Sequence, residues 1–192
     1  MTLQIRKPPF DTEMADGIPW GAPKKADTYG TASKSTGNLK ASCYCSHTNE
    51  SGGVASASVG ILELGPPKQT TILDVAAHGD VLDAWWYLWA DIWSSKTWGK
   101  LALEVTSDPA GQSVRSEEVL FDASDRFGTE NEHTKKAFML SVYLRADTEH
   151  TYQATVHASV EALAAGEGKH GFGSSAMCGI EAKVNNFWYE FM

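Results

Sequence analysis

Trp85, Tyr87, Trp89 and Trp93 share one parity within residues 84–93, so an extended strand sets all four on one face. Trp98 follows shortly after and completes a cluster of five of the chain's seven tryptophans. Exposed Trp and Tyr combine a large apolar ring with a polar tip. They stack on sugar rings and anchor protein interfaces. The opposite parity, Trp86, Leu88, Ala90 and Ile92, reads as core. Both parities are apolar, which predicts a strand covered on both faces; a short buried helix is the alternative, and the aromatic enrichment favours the strand. Three readings fit the Trp85 set: ordinary core packing beneath another segment, a protein–protein interface, or a glycan platform.

Other residues with chemical potential are less well arranged. Cys43, Cys45 and His47 lie at i, i+2 and i+4, and their donor atoms suit zinc or copper. Alternate side chains on a strand stand roughly 6.5–7 Å apart, however, which is too far for one ion to join all three. No second Cys or His pair completes a knuckle. These three are weak metal candidates, and the cysteines read as small buried hydrophobes. A bridge from Cys43 or Cys45 to Cys178 is the other reading. The glycine-rich stretch 166–173 lacks the phosphate-loop arrangement and precedes no helical pattern, so it reads as a hairpin connection. No nucleophile elbow occurs. The acidic pairs Glu117/Glu118 and Asp122/Asp125 read as a solvated face. No catalytic residue and no cofactor is expected.

Net charge is −8 and basic residues form no cluster, which argues against nucleic acid and anionic membrane surfaces as partners. No apolar run reaches the roughly 20 residues of a spanning helix. The first ten residues hold no continuous apolar segment of signal-peptide type. Three cysteines are too few for a disulfide framework. The expected setting is the cytoplasm, or release without a signal peptide.

The elements around these residues are strands. Residues 1–38, interrupted by Pro8, Pro9, Pro19 and Pro23, read as an irregular N-terminal arm, and residues 39–192 as one β-sandwich domain. From Leu39 the period is two: Leu39, Ala41, Cys43 and Cys45, then Ala55, Ala57, Val59 and Ile61, with a turn expected at residues 49–52. A short strand over 70–76 should close at His78-Gly79-Asp80. Strands are expected at 84–93, 101–105 and 114–122, with a polar loop over 123–135. A closing strand follows at 176–184, bent at Asn185-Asn186. Phe138, Leu140, Val142 and Leu144 share one face, as do Tyr152, Ala154, Val156, Ala158 and Val160. The polar corner between them, opening on Tyr152, resembles the tyrosine corner of Greek-key sandwiches, in which the phenol hydrogen-bonds back to the chain upstream.

The class that follows is an all-β antiparallel sandwich, immunoglobulin-like or jelly-roll Greek key, of eight or nine strands. Arm, aromatic strand and missing catalytic motifs point to a non-enzymatic protein. It is expected to work through association with a protein partner or with itself, as a structural or accessory subunit of a larger assembly such as a viral or phage-like particle. The alternative is a lectin-like carbohydrate-binding module using the aromatic strand face.

Overall fold

The computed structural model describes residues 3–21, 26–47, 51–90, 94–109, 111–125, 128–164 and 174–192. It is an all-β sandwich of two antiparallel sheets. Strands β3 (Ala26–Ser33), β4 (Asn38–His47), β11 (Ser174–Phe191), β6 (Thr71–Ala90) and β9 (Gly128–Ala146) lie side by side in that order, and β1 (Gln4–Arg6) pairs with the far end of β11. The facing sheet has the order β2 (Thr12–Gly21), β5 (Ser51–Leu64), β10 (Thr151–Ala164), β7 (Ser95–Asp108) and β8 (Ser113–Asp125). No helix long and apolar enough to cross a membrane occurs among the described residues.

The fold class is the expected one, with eleven strands among the described residues rather than eight or nine. One difference lies in β6. The two strands expected at 70–76 and 84–93 are a single 20-residue strand, and His78, Gly79 and Asp80 sit in its middle rather than in a turn. Its register slips between Val81 and Ala84, where Leu82 is the extra residue. A bulge of this kind reverses the parity of all that follows. Before it the odd residues Leu73, Val75, Ala77 and Val81 face the core; after it Ala84, Trp86, Leu88 and Ala90 do. Trp85, Tyr87 and Trp89 thus point away from the core, and the expectation of cover on both faces does not hold.

The second difference is the N-terminal segment. In place of an irregular arm, it supplies β1, β2 and β3. Phe10 is buried in the core, edge-on to Phe187 at 5.1 Å. Its N–H donates to Lys34 C=O at 2.8 Å, and the Asp11 carboxylate accepts from Leu62 N–H at 2.8 Å. Pro19 is tolerated because β2 is an edge strand, where one missing donor breaks no ladder. Consecutive β2 and β3 belong to different sheets and close one side of the sandwich. Gly30 permits this approach: a Cβ there would lie 2.4 Å from Ser56 O and 3.0 Å from Asp16 O.

Strands adjacent in sequence often change sheet. The expected pair β4 and β5 do not hydrogen-bond to each other but face one another across the core; of the expected turn 49–52, residues 49–50 lie outside the described residues and Ser51 and Gly52 open β5. Residues expected as the polar loop 123–135 mostly extend β8 and β9. The corner between β9 and β10 also crosses sheets. Phe138, Leu140, Val142 and Leu144 press inward from one, and Tyr152 to Val160 from the other. The phenol oxygen of buried Tyr152 accepts the N–H of Asp147 at 3.0 Å, as the tyrosine-corner resemblance implies. Asp147 Oδ1 accepts from the N–H groups of Glu149 and His150 at 3.0 and 3.1 Å, fixing the corner. The bend at Asn185-Asn186 is a register shift between Val184 and Asn186.

Candidate functional site: the outer face of the β3-β4-β11-β6-β9 sheet

Pleating alternates side chains between core and solvent, and the register assigns each outward residue its neighbours. One row across the sheet reads Asp27, Tyr44, Met177, Tyr87 and Asn131. The next reads Tyr29, Ser42, Gly179, Trp85 and His133, and the third Thr31, Lys40, Glu181 and Asp83. Beyond the first row, Trp89 stands beside Ser175 and Thr129. Five aromatic side chains from three strands therefore share one open face. Tyr29, Tyr44 and Trp89 are 53%, 40% and 39% exposed, and Trp85 and Tyr87 are half-buried.

Small residues on β11 make the rings lie down. A Cβ at Gly179 would meet Cε2, Cζ2 and Nε1 of Trp85 at 2.8 Å, so the indole covers the backbone of β11 at that point. Polar groups border this flat surface. Lys40 and Glu181 form an ion pair, and Asp83 pairs with His133 Nδ1 at 3.1 Å. At the bulge, Thr31, Lys40, Leu82 and Glu181 line a shallow groove of about 360 Å³. The face offers apolar ring surfaces beside hydrogen-bonding groups of both kinds.

The expected site residues separate in space. Trp85, Tyr87 and Trp89 come together. Trp93 lies outside the described residues. Trp98 is on the outer face of the opposite sheet, across the sandwich from the others, because β7 belongs to that sheet and its odd residues fill the core. Its indole N–H donates to Glu161, and the Lys100 ammonium sits over its ring at 5.3 Å from the centroid. The ammonium occupies one face of this ring, and the ring lies on the sheet opposite the aromatic cluster.

Cys43, Cys45 and Cys178 are free and buried. Cys43 and Cys178 are direct cross-strand neighbours, and their thiols donate to Gly53 C=O at 3.2 Å and Glu161 C=O at 3.3 Å. Burial pushes the Cys43 thiol up to about 11, the Cys45 thiol up to about 12, and Cys178 higher still. These are thiols in the core rather than thiolate ligands. The His47 side chain lies outside the described residues, and no group of three or more metal-ligating side chains occurs among those described. Residues 166–172 and Gly173 of the glycine-rich stretch also lie outside them. Glu117 is bound by Lys100 and Arg115 at 2.7 and 3.1 Å, while Glu118 pairs with Lys136 at 2.8 Å. The adjacent carboxylates thus engage different partners and share no site.

Sequence reasoning missed Tyr29, Tyr44 and Met177. Tyr29 fell in the segment read as an arm. Tyr44 did alternate with Cys43 and Cys45, a signal that it faces outward. Nothing in the sequence placed either beside Trp85.

No family model matches the chain, and no curated protein matches it in sequence. Among solved structures, it is 11% identical to TmCBM61 in complex with β-1,4-galactotriose, with 95% of this chain and 90% of that chain covered at a TM-score of 0.25. It is 9% identical to the family 11 carbohydrate-binding module of the cellulosomal cellulase Lic26A-Cel5E of Clostridium thermocellum, with 96% of each covered at 0.26. It is 5% identical to the C-terminal CBM6 of LamC from Zobellia galactanivorans, with 91% and 98% covered at 0.28. At these scores neither fold nor function transfers to this chain.

Proposed function

We propose that this sandwich is a non-catalytic carbohydrate-binding domain whose ligand lies on the outer face of the β3-β4-β11-β6-β9 sheet. One observation carries the reading: Tyr29, Tyr44, Trp85, Tyr87 and Trp89 form an open aromatic bed, with Asp27 and Asn131 in the row of Tyr44 and Tyr87, and Glu181 and Asp83 in the row beside that of Tyr29 and Trp85. Sugar rings present C–H faces that stack on aromatic rings, and a rim of hydroxyls that needs donors and acceptors. A surface that alternates rings with carboxylates and amides meets both needs. A protein interface core is instead depleted of charged residues.

Titration of intrinsic tryptophan fluorescence with a panel of soluble polysaccharides tests the reading. At least one glycan is expected to shift the emission, and Trp85→Ala should weaken its binding about tenfold, the equivalent of about 1.4 kcal/mol. A flat response across the panel rejects it.

A second reading, association with a protein or a second copy, rests on the other sheet. Met14 and Ile18 on edge strand β2 are strongly exposed, and Ile18 stands beside Val54. Light scattering tests it: concentration-dependent mass that Ile18→Lys abolishes supports association, and a monomer at all concentrations rejects self-association.

A further inference from the structure

The aromatic bed is not the end of the face. Below the bulge, the same outer surface continues along β6 and β11 to Trp188, and register pairs Trp188 with Ala76 and with Ile5 of β1. The Trp188 ring packs on the His78 imidazole, with centroids 4.0 Å apart and planes inclined by 36°. Trp188 keeps more than a third of its surface open, and Tyr143, opposite Asp74 on β9, is more exposed still. Trp188 is nine steps along β11 from Gly179, which at about 3.4 Å per residue sets the two ring platforms roughly 30 Å apart along the strands.

Three polar atoms around this second platform lack a partner: Asp74 Oδ1, His78 Nε2 and Asn186 Oδ1. All belong to outward residues, with Asn186 opposite His78 and Asp74 opposite Glu190. A buried polar atom without a hydrogen bond is costly, and three such atoms on either side of one exposed ring mark a site that a polar ligand completes. Burial holds the Asp74 carboxyl above its ordinary range, with Glu190 adding to the effect, and holds His78 below its own. The unpartnered oxygens of Asp74 and Asn186 and the unpartnered His78 nitrogen suit the hydroxyls of a sugar. The carboxylates of Asp80 and Asp83 line the route between the platforms and those of Asp74 and Glu190 stand at its far end, whereas the cations along it are the exposed Lys183 opposite Asp80 and Lys40, which is taken up by Glu181. A chain bearing its own carboxylates would be repelled along that route.

Resting on the carbohydrate reading above, we infer that the ligand is an extended, uncharged polysaccharide, laid along the strands from Trp85 to a second subsite formed by Trp188, His78, Asp74 and Asn186. A short oligosaccharide would fill only one platform.

Calorimetric titration with cello-, xylo- and manno-oligosaccharides graded from disaccharide to octasaccharide tests this, with polygalacturonate as the anionic counterpart. Affinity should climb with length past the hexasaccharide. Trp188→Ala should cost about tenfold on the longest member that binds and nothing on the shortest, while Trp85→Ala weakens both. If Trp188→Ala unfolds the chain, Asn186→Ala and Asp74→Ala should reproduce the length-selective loss. A length-independent affinity, or Trp188→Ala and Asn186→Ala both binding the longest member normally, overturns the second subsite yet leaves the carbohydrate reading standing. Tight binding of polygalacturonate overturns the uncharged ligand. Absence of binding to every series and to polygalacturonate removes both proposals.

Discussion

The indole of Trp85 rests on the backbone of Gly179, its cross-strand neighbour, at a distance that leaves no room for a Cβ. Any side chain at 179 must lift the ring. Gly179→Val is expected to cost about 1–3 kcal/mol through overpacking. It should also red-shift the tryptophan emission and weaken glycan binding about as much as Trp85→Ala. Emission unchanged from wild type would contradict this contact.

The two faces should be separable. Trp98 lies on the opposite sheet with its N–H on Glu161 and Lys100 over its ring. Trp98→Phe keeps a ring but loses the donor, so a loss of about 1 kcal/mol in urea unfolding is expected, with glycan titration unaltered. Impaired glycan binding in this variant would place the site on the wrong sheet.

Tyr152 is fully buried, and its hydroxyl has the Asp147 N–H as partner. Removing the hydroxyl strands that donor at the β9–β10 corner. Tyr152→Phe should destabilise by about 1–2 kcal/mol, which for a domain of this size lowers Tm by roughly 2–8 °C. Differential scanning calorimetry reads this directly.

Phe10 tests whether the N-terminal segment belongs to the fold. It packs edge-on to Phe187 inside the core. Phe10→Ala is expected to cost about 3–5 kcal/mol and to expose residues 4–33 to proteolysis before the rest. Wild-type stability in urea would make the segment an appendage.

Two histidines set an acid limit. Burial lowers the pKa of His78 and of His157 from the ordinary 6.5, against the pull of Glu104 in the second case. The folded state holds the neutral forms, so the unfolded chain binds protons first on acidification. Stability from these sites is therefore complete above pH 6.5 and falls as the pH drops toward the folded values. Asp74, whose carboxyl is held above its ordinary range, has the opposite sign and gains stability as it protonates, in a more acidic window. Urea midpoints should fall between roughly pH 7.5 and 5.5, and His157→Gln should flatten the slope. An unchanged slope in both His78→Gln and His157→Gln would exclude these residues as its source.

The alternation of Leu39 to Cys45, Phe138 to Leu144 and Tyr152 to Val160 was legible because a pleated strand repeats every two residues, and one buried face demands an apolar run at that spacing. The same period marked Trp86 and Leu88 as core, and the short polar stretch opening on Tyr152 marked the corner. These are properties of single strands and short turns. Tertiary structure alone decided what depends on pairing across the chain. A one-residue bulge at Leu82 leaves no compositional trace, yet it reverses the parity that sends Trp85 outward. Gly179 and Gly30 look like weak points in strands until a ring and a neighbouring backbone lie against them. Tyr29 and Tyr44 reach Trp85 only because β11, the last strand, inserts between β4 and β6, and Trp98 leaves the group because β7 pairs in the facing sheet. Hydrophobic period records which way a side chain points along its own strand. Which strands become neighbours is set by burial and hydrogen bonding among segments distant in sequence, and the aromatic face exists only at that level.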